Sequence, residues 1–310
     1  MGGDRATFYM PMICGGVFQE GRGQKQYSKD CITLENKQFE IKSDLMNFKR
    51  SDQVGGAMIN GSLLAIGGKS DSSAKMETIE MIHPTDGSKS LPDFLHGSRS
   101  HCLTKLNDKQ VMVSGGHKTG QDYASDVVIL DLTTNTWTPT HSLKLGRGSH
   151  GCGTFWMKGR QIAIVGGGYA KLNHGYGYID SVELLDLQLD AGWVAGPRLD
   201  VKNSRQQYLT SPNGQGIIAL GGKATSYYNT IYEFKCDPGN SLDECQWFTL
   251  QQKLKYAWAK FAAMYIPDSL ANELCKQIFK DIFVYILGFP DFFGNCLVEL
   301  VSIIIVITSK

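Results

Sequence analysis

The chain lacks a charge excess: 31 Lys and Arg stand against 30 Asp and Glu, for a net charge of +1. That removes any whole-chain case for nucleic-acid binding, which draws its affinity from counterion release. Proline is scarce at 9 residues, and no collagen period or Pro-rich tract is present, which excludes fibrous and low-complexity classes. The 8 cysteines lack C-x-x-C spacing, so no zinc or haem pattern emerges, and no G-x-S-x-G nucleophile elbow occurs. The opening MGGDRATFYMPMICGG holds Asp4, Arg5 and a short apolar run broken by Pro11, which does not read as a secretory leader. What is abundant is glycine, 35 of 310 residues, which points to many tight turns.

Those glycines recur. An apolar run ends in a glycine pair at Gly15-Gly16, Gly67-Gly68, Gly115-Gly116, Gly166-Gly167 and Gly221-Gly222, at intervals of about 50 residues. Asn60-Gly61, Asn107-Asp108, Lys158-Gly159 and Asn213-Gly214 precede four of these runs, and such pairs accept the positive φ of two-residue hairpin turns. After each glycine pair comes a polar loop and another apolar run, as in DCITLE, METIEMI, DVVILDL, SVELLDL and NTIYEF. Trp137, Trp193 and Trp247 follow beyond a further turn, with Phe39 in the similar place of the first repeat. Each unit therefore reads as a four-stranded antiparallel meander that buries its apolar faces only against its neighbours.

These units resemble the kelch repeat family, with its double glycine after the second strand, an aromatic near the fourth and often an Arg before the first. Arg50, Arg99, Arg147 and Arg205 match that last feature. The resemblance covers roughly residues 6 to 266 and implies an all-β propeller of five recognisable four-stranded blades, with a sixth degenerate or missing. It implies nothing about the ligand, since propellers of this kind include protein-binding adaptors and a few enzymes.

The propeller is expected over 1–267. The first repeat starts at its second strand, and YAWAKFAAMYI at 256–266 reads as a first strand able to close the ring by pairing with the chain's beginning. The hydrophobic tail 268–310 admits three readings: a degenerate blade, a segment foreign to the ring, or a membrane anchor. Pro290, Asp291, Asn295 and Glu299 interrupt it and count against the last.

Few motifs suggest catalysis. Gly146 to Gly151 fits G-x-G-x-x-G but leads into a strand and not a helix, so it reads as a connection between units. The 7 histidines are scattered over the repeats without ligand spacing. No metal or cofactor is expected. Cys236 and Cys245 flank DPGNSLDE within one hairpin and are placed for a disulfide or for two reduced thiols. The missing leader suggests the cytoplasm; a Cys236–Cys245 bond suggests an extracellular setting. Asn60-Gly61-Ser62 is a glycosylation sequon that the hairpin turn also explains.

In such a meander, the loops from strand two to three share a rim with the connections between units. Those loops carry eight basic side chains against three acidic ones, and they hold Tyr27, Tyr123, Tyr169, Tyr176, Tyr178, Tyr227 and Tyr228. Tyrosine supplies contact area at low entropic cost, as binding surfaces do. Arg50, Arg99, Arg147 and Arg205, all expected at the channel mouth, with Tyr169, Tyr176 and Tyr227, form the candidate ligand site. The expected function is a non-catalytic module binding a protein partner through an acidic segment, with neither nucleic acid nor membrane as partner. The alternatives are a sugar-acting enzyme, mutarotase-like or oxidase-like, and a glycan-binding module. The bland alternative for each arginine is a tie between neighbouring blades.

Overall fold

The computed structural model describes residues 12–262 except positions 15–16, 19–25, 36–37, 52–56, 71–74, 94–97, 119–121, 238–240, 255–256 and 258–260, together with 307–308. It is all-β, and among the described residues the only helical element is the 3-10 turn Leu242–Glu244.

Met12–Cys14, Cys31–Glu35 and Gln38–Lys42 make a first, three-stranded sheet. Four antiparallel sheets of four strands follow, each paired in chain order. The second holds Ala57–Ile59, Ser62–Ile66, Ile79–His83 and Gly87–Leu91, and the third holds Cys102–Lys105, Gln110–Ser114, Val127–Asp131 and Thr136–Thr140. The fourth holds Gly151–Met157, Arg160–Gly166, Val182–Asp186 and Val194–Gly196, and the fifth holds Gln207–Thr210, Gly216–Leu220, Thr230–Lys235 and Gln246–Lys253.

Each sheet stacks on the next, which is why its middle strands are apolar on both faces. Val111 and Val113 meet Leu64, Ile66 and Ile79 of the second sheet, while Met112, one residue between them, meets Ala163 and Val165 of the fourth. The period of two along a strand sends neighbours to opposite faces, so one strand feeds two cores. Between the fourth and fifth sheets Phe155 and Phe234 stand edge to face with ring centroids 5.6 Å apart, both fully buried. Side chains of this size contribute about 1.5 to 3 kcal/mol each on burial. The tryptophans also link successive units: Trp193 Nε1 donates to the His141 carbonyl at 2.7 Å, and Trp247 Nε1 to that of Pro197 at 3.1 Å.

The glycine pairs form the junctions. Gly68 N donates to Ser98 O at 2.8 Å, Gly116 N to Arg147 O at 2.8 Å and Gly168 N to Asn203 O at 2.7 Å, so the second glycine of one sheet is tied to the chain entering the next. Both glycines take positive φ, and a Cβ on Gly115 would lie 2.4 Å from Arg147 O. This pattern corrects the fourth pair: Gly167-Gly168, with φ of 62° and 110°, occupies the junction, while Gly166 is the last residue of its strand.

Three disulfides are present among the described residues. Cys236–Cys245 spans the hairpin where the sequence placed it as one of two options. Cys14–Cys31 joins the first two strands of the first sheet. Cys102–Cys152 crosses between the first strands of the third and fourth sheets, with Cα atoms 6.0 Å apart and a sequence separation of 50.

The closure expected for 256–266 is not what the described residues show, since Phe261–Ala262 pairs with Ile307–Thr308 and not with Met12–Cys14. The remainder of the tail 268–310, and with it the choice among its three readings, lies outside the described residues.

Candidate binding site

The chain enters the third, fourth and fifth sheets through residues whose register is set by the junction bonds. The carbonyl tied to the preceding glycine pair belongs to Ser98, Arg147 and Asn203. The next residue, Ser51, Arg99, Gly148 or Ser204, pairs across its own sheet with Lys69, His117, Tyr169 or Lys223. This register separates the four arginines. Arg50 and Arg147 occupy the first position, Arg99 the second and Arg205 the third.

The first position is buried. Arg147 Nη1 donates to the carbonyls of Gly167 at 3.0 Å and Ser181 at 2.8 Å, and Nη2 to Glu183 Oε1 at 2.6 Å. Arg50 repeats this with Gly67 O at 2.8 Å, Thr78 O at 3.1 Å and the Glu80 carboxylate. Burial pushes both guanidinium pKa values down, and the carboxylate beside each pushes back up. Asn203 reproduces part of the clamp with Nδ2 on Gly221 O at 2.9 Å. Glu80 and Glu183 occupy equivalent places on the third strands, where the third and fifth sheets have Val128 and Tyr232. Arginine at the first position thus goes with glutamate on the third strand, and Ser98 and Asn203 go without it. The expectation that all four arginines reach one mouth is corrected here: Arg50 and Arg147 tie backbone and carboxylate within their own sheets.

Arg99 and Arg205 do converge. With Ser100, His117, Tyr123, Ser149, Tyr169, Tyr178 and Ser204 they line a polar cavity of about 240 Å³ where the third, fourth and fifth sheets meet. Its rim is braced by third-position residues, since Ser149 N donates to Ser100 O at 2.7 Å and Arg205 N to Ser149 O at 2.6 Å. Ser100, Ser149 and Arg205 all hold positive φ, 58°, 55° and 58°. Residues with a Cβ pay roughly 1 to 2 kcal/mol each for that conformation, and such strain gathers at functional sites. Arg205 Nε, like Arg50 Nε, is buried without a hydrogen-bond partner among the described residues.

The field in the cavity is positive. Burial lowers the His117 pKa, and Lys75 and Arg99 lower it further against the opposing Asp122. Burial and Arg99 likewise lower that of Lys75, whose Nζ donates to the Lys118 carbonyl. None of the described lining residues is acidic. Asp122 lies beside the cavity but is engaged by Lys171 Nζ at 3.1 Å and Tyr176 Oη at 2.7 Å.

The tyrosines form one edge-to-face chain, with Tyr123 5.8 Å from Tyr169 and 6.1 Å from Tyr176, and Tyr169 5.0 Å from Tyr178. Tyr169 therefore lines the cavity, Tyr176 stands exposed at its edge, and Tyr227 sits apart under Lys223 Nζ at 4.7 Å. The polar loop expected to carry Tyr169 and Tyr176 is itself a hairpin, Tyr169–Leu172 with Gly175–Tyr178. His117, Ser100, Ser149 and Ser204 were missed as site residues, and Tyr123 and Tyr178 were placed on the rim but not in the candidate site. The signal that finds Ser100 and Ser149 is the shared Ser-His pair, Ser100-His101 and Ser149-His150, which aligns Arg99 with Gly148 and not with Arg147.

No family model matches the chain, and no curated protein matches it. It is similar to a solved structure described as "Structure of YjhT", with a TM-score of 0.60 and 12% identity, covering 77% of this chain and 82% of that one. At that identity the likeness speaks for the fold alone.

Proposed function

We propose that the chain is a kelch-type β-propeller that serves as a non-catalytic binding module, taking an acidic segment of a protein partner into the cavity between Arg99 and Arg205. The observation that carries this reading is the convergence of two guanidinium groups on one polar cavity with no acidic lining residue described. Stacked four-stranded meanders in chain order support the propeller. A guanidinium grips a carboxylate with parallel hydrogen bonds, and the serine hydroxyls and tyrosine phenols around it offer further donors. Exposed Tyr176 adds amphipathic area at the edge of the cavity for the flanking residues of the segment.

Selection from a random peptide display library tests it. Wild-type protein should enrich peptides carrying Asp or Glu at a fixed position, and the Arg99→Ala, Arg205→Ala double variant should lose that enrichment. Truncating one partner of a desolvated pair costs about 2 to 5 kcal/mol in affinity. Selection without acidic enrichment, or equal enrichment by the double variant, defeats the reading.

A further inference from the structure

The hairpin turn at Asn60-Gly61 carries more than a turn requires. Asn60 and Gly61 take φ of 47° and 82° and join Ile59 directly to Ser62, a two-residue turn with positive φ at both positions. Lys158-Gly159 solves the same problem between Met157 and Arg160, with φ of 51° and 73°. The turn thus accounts for a residue tolerating positive φ followed by glycine; it places no demand on the residue after it, where one hairpin has Arg160 and the other Ser62. Asn60-Gly61-Ser62 is a complete acceptor sequence for N-linked glycan, and Asn60 is exposed at the tip of its hairpin.

A second, independent observation concerns compartment. Among the described residues six cysteines are joined in three disulfides, one of them stapling two sheets through residues 50 apart. Disulfides of this kind persist in oxidising compartments, the setting in which N-linked glycan is added. We infer that Asn60 is an N-glycosylation site, modified by a lipid-pyrophosphate-linked oligosaccharide. The Asn60 amide nitrogen bonds to the anomeric carbon of the first sugar. The bond from that carbon to the phosphate oxygen breaks, the lipid pyrophosphate leaves with its electron pair, and the amide gives up one proton. The turn lies at the far end of its hairpin from Ser51, whose counterparts Arg99 and Ser204 line the cavity. A glycan at Asn60 therefore projects from the opposite rim and leaves the cavity open.

The inference does not depend on what the cavity binds. Its test is translation of the full chain behind a supplied secretory leader in animal cells, with cell-associated and secreted protein analysed together. Treatment with a glycan-releasing amidase should increase gel mobility and convert Asn60 to Asp in the peptide map, while Asn60→Gln and Ser62→Ala should each abolish the shift. Ser62→Ala keeps the Asn-Gly turn, so loss of the shift there reports the acceptor sequence and not misfolding. Non-reducing maps of the same samples should show the three disulfides. Unmodified Asn60 in translocated wild-type protein, or free thiols at all six cysteines, would overturn the inference.

Discussion

Replacing Arg147 with alanine should be among the most damaging single changes available in this chain. The substitution removes hydrogen bonds to Gly167 O, Ser181 O and Ser181 Oγ at 2.8 to 3.0 Å, and it removes the cation facing Glu183. Glu183 retains only the backbone amides of Lys144 at 2.7 Å and Leu145 at 3.3 Å, and its side chain is 5% exposed. Breaking a buried pair from one side costs about 3 to 5 kcal/mol, mainly because the remaining charge is uncompensated. The third sheet shows how to remove both charges, since it carries Ser98 and Val128 in the two places. The double variant Arg147→Ser, Glu183→Val should therefore lose clearly less stability than Arg147→Ala, with a favourable coupling of roughly 1 to 3 kcal/mol. Urea unfolding followed by tryptophan fluorescence reads both at constant slope. Arg99→Ala, by contrast, removes a cavity arginine outside the clamps and should stay within about 0.5 kcal/mol of wild type. Equal losses for Arg147→Ala and Arg99→Ala, or a double variant worse than the single, would refute the division of the arginines.

Other consequences are open to measurement. Gly115→Ala should destabilise by several times more than Gly159→Ala, because its Cβ meets Arg147 O at 2.4 Å whereas nothing lies within 4 Å of the other; roughly 1 kcal/mol is expected for Gly159 from its positive φ alone. Burial holds the His101 pKa down to about 4 and that of His150 well below the usual histidine range. The unfolded chain takes up these protons near pH 6.5 and the folded chain does not. Stability is thus fully present above that pH and falls toward pH 4, by about 3 kcal/mol for His101; thermal melts across this window should show the slope, and His101→Gln should reduce it, leaving the part due to His150. Cys102→Ser with Cys152→Ser opens a loop of 50 residues, which the loop-closure estimate values at about 4 kcal/mol; unchanged unfolding midpoints would contradict the staple.

The repeat was legible because a junction built on a glycine pair recurs at a fixed interval, and because the two-residue turns at Asn60-Gly61 and Lys158-Gly159 demand residues that accept positive φ. Asn107-Asp108 and Asn213-Gly214, expected to do the same, lie instead in longer turns between Lys105 and Val111 and between Thr210 and Ile217. Register inside the repeat was less legible. Three consecutive glycines at 166–168 hide which two turn, and that ambiguity carries over to the arginines, whose places differ by one or two residues. A shift of one residue sends a side chain to the opposite face, so Arg99 faces the cavity while Arg147 faces the sheet interior. The glutamates at 80 and 183 mark the two clamps in the sequence, since the other sheets lack an acid there. Cys102 and Cys152 pair between repeats, which no local spacing rule reveals, although their separation of one repeat length was visible. The hairpin at 169–178 was hidden by tyrosines and glycines that serve turn, strand and binding loop alike.

Observation of the arginine side chains themselves tests the central claim most directly. With the protein labelled with 15N-arginine, the Nε–H resonances are assigned by substitution and followed while the most enriched acidic peptide from the display selection is added. The account predicts that the Arg99 and Arg205 signals move together and saturate, while those of Arg50 and Arg147, buried in their clamps, stay fixed. Movement of the Arg50 and Arg147 signals, or saturation of binding with Arg99 and Arg205 unmoved, would contradict it.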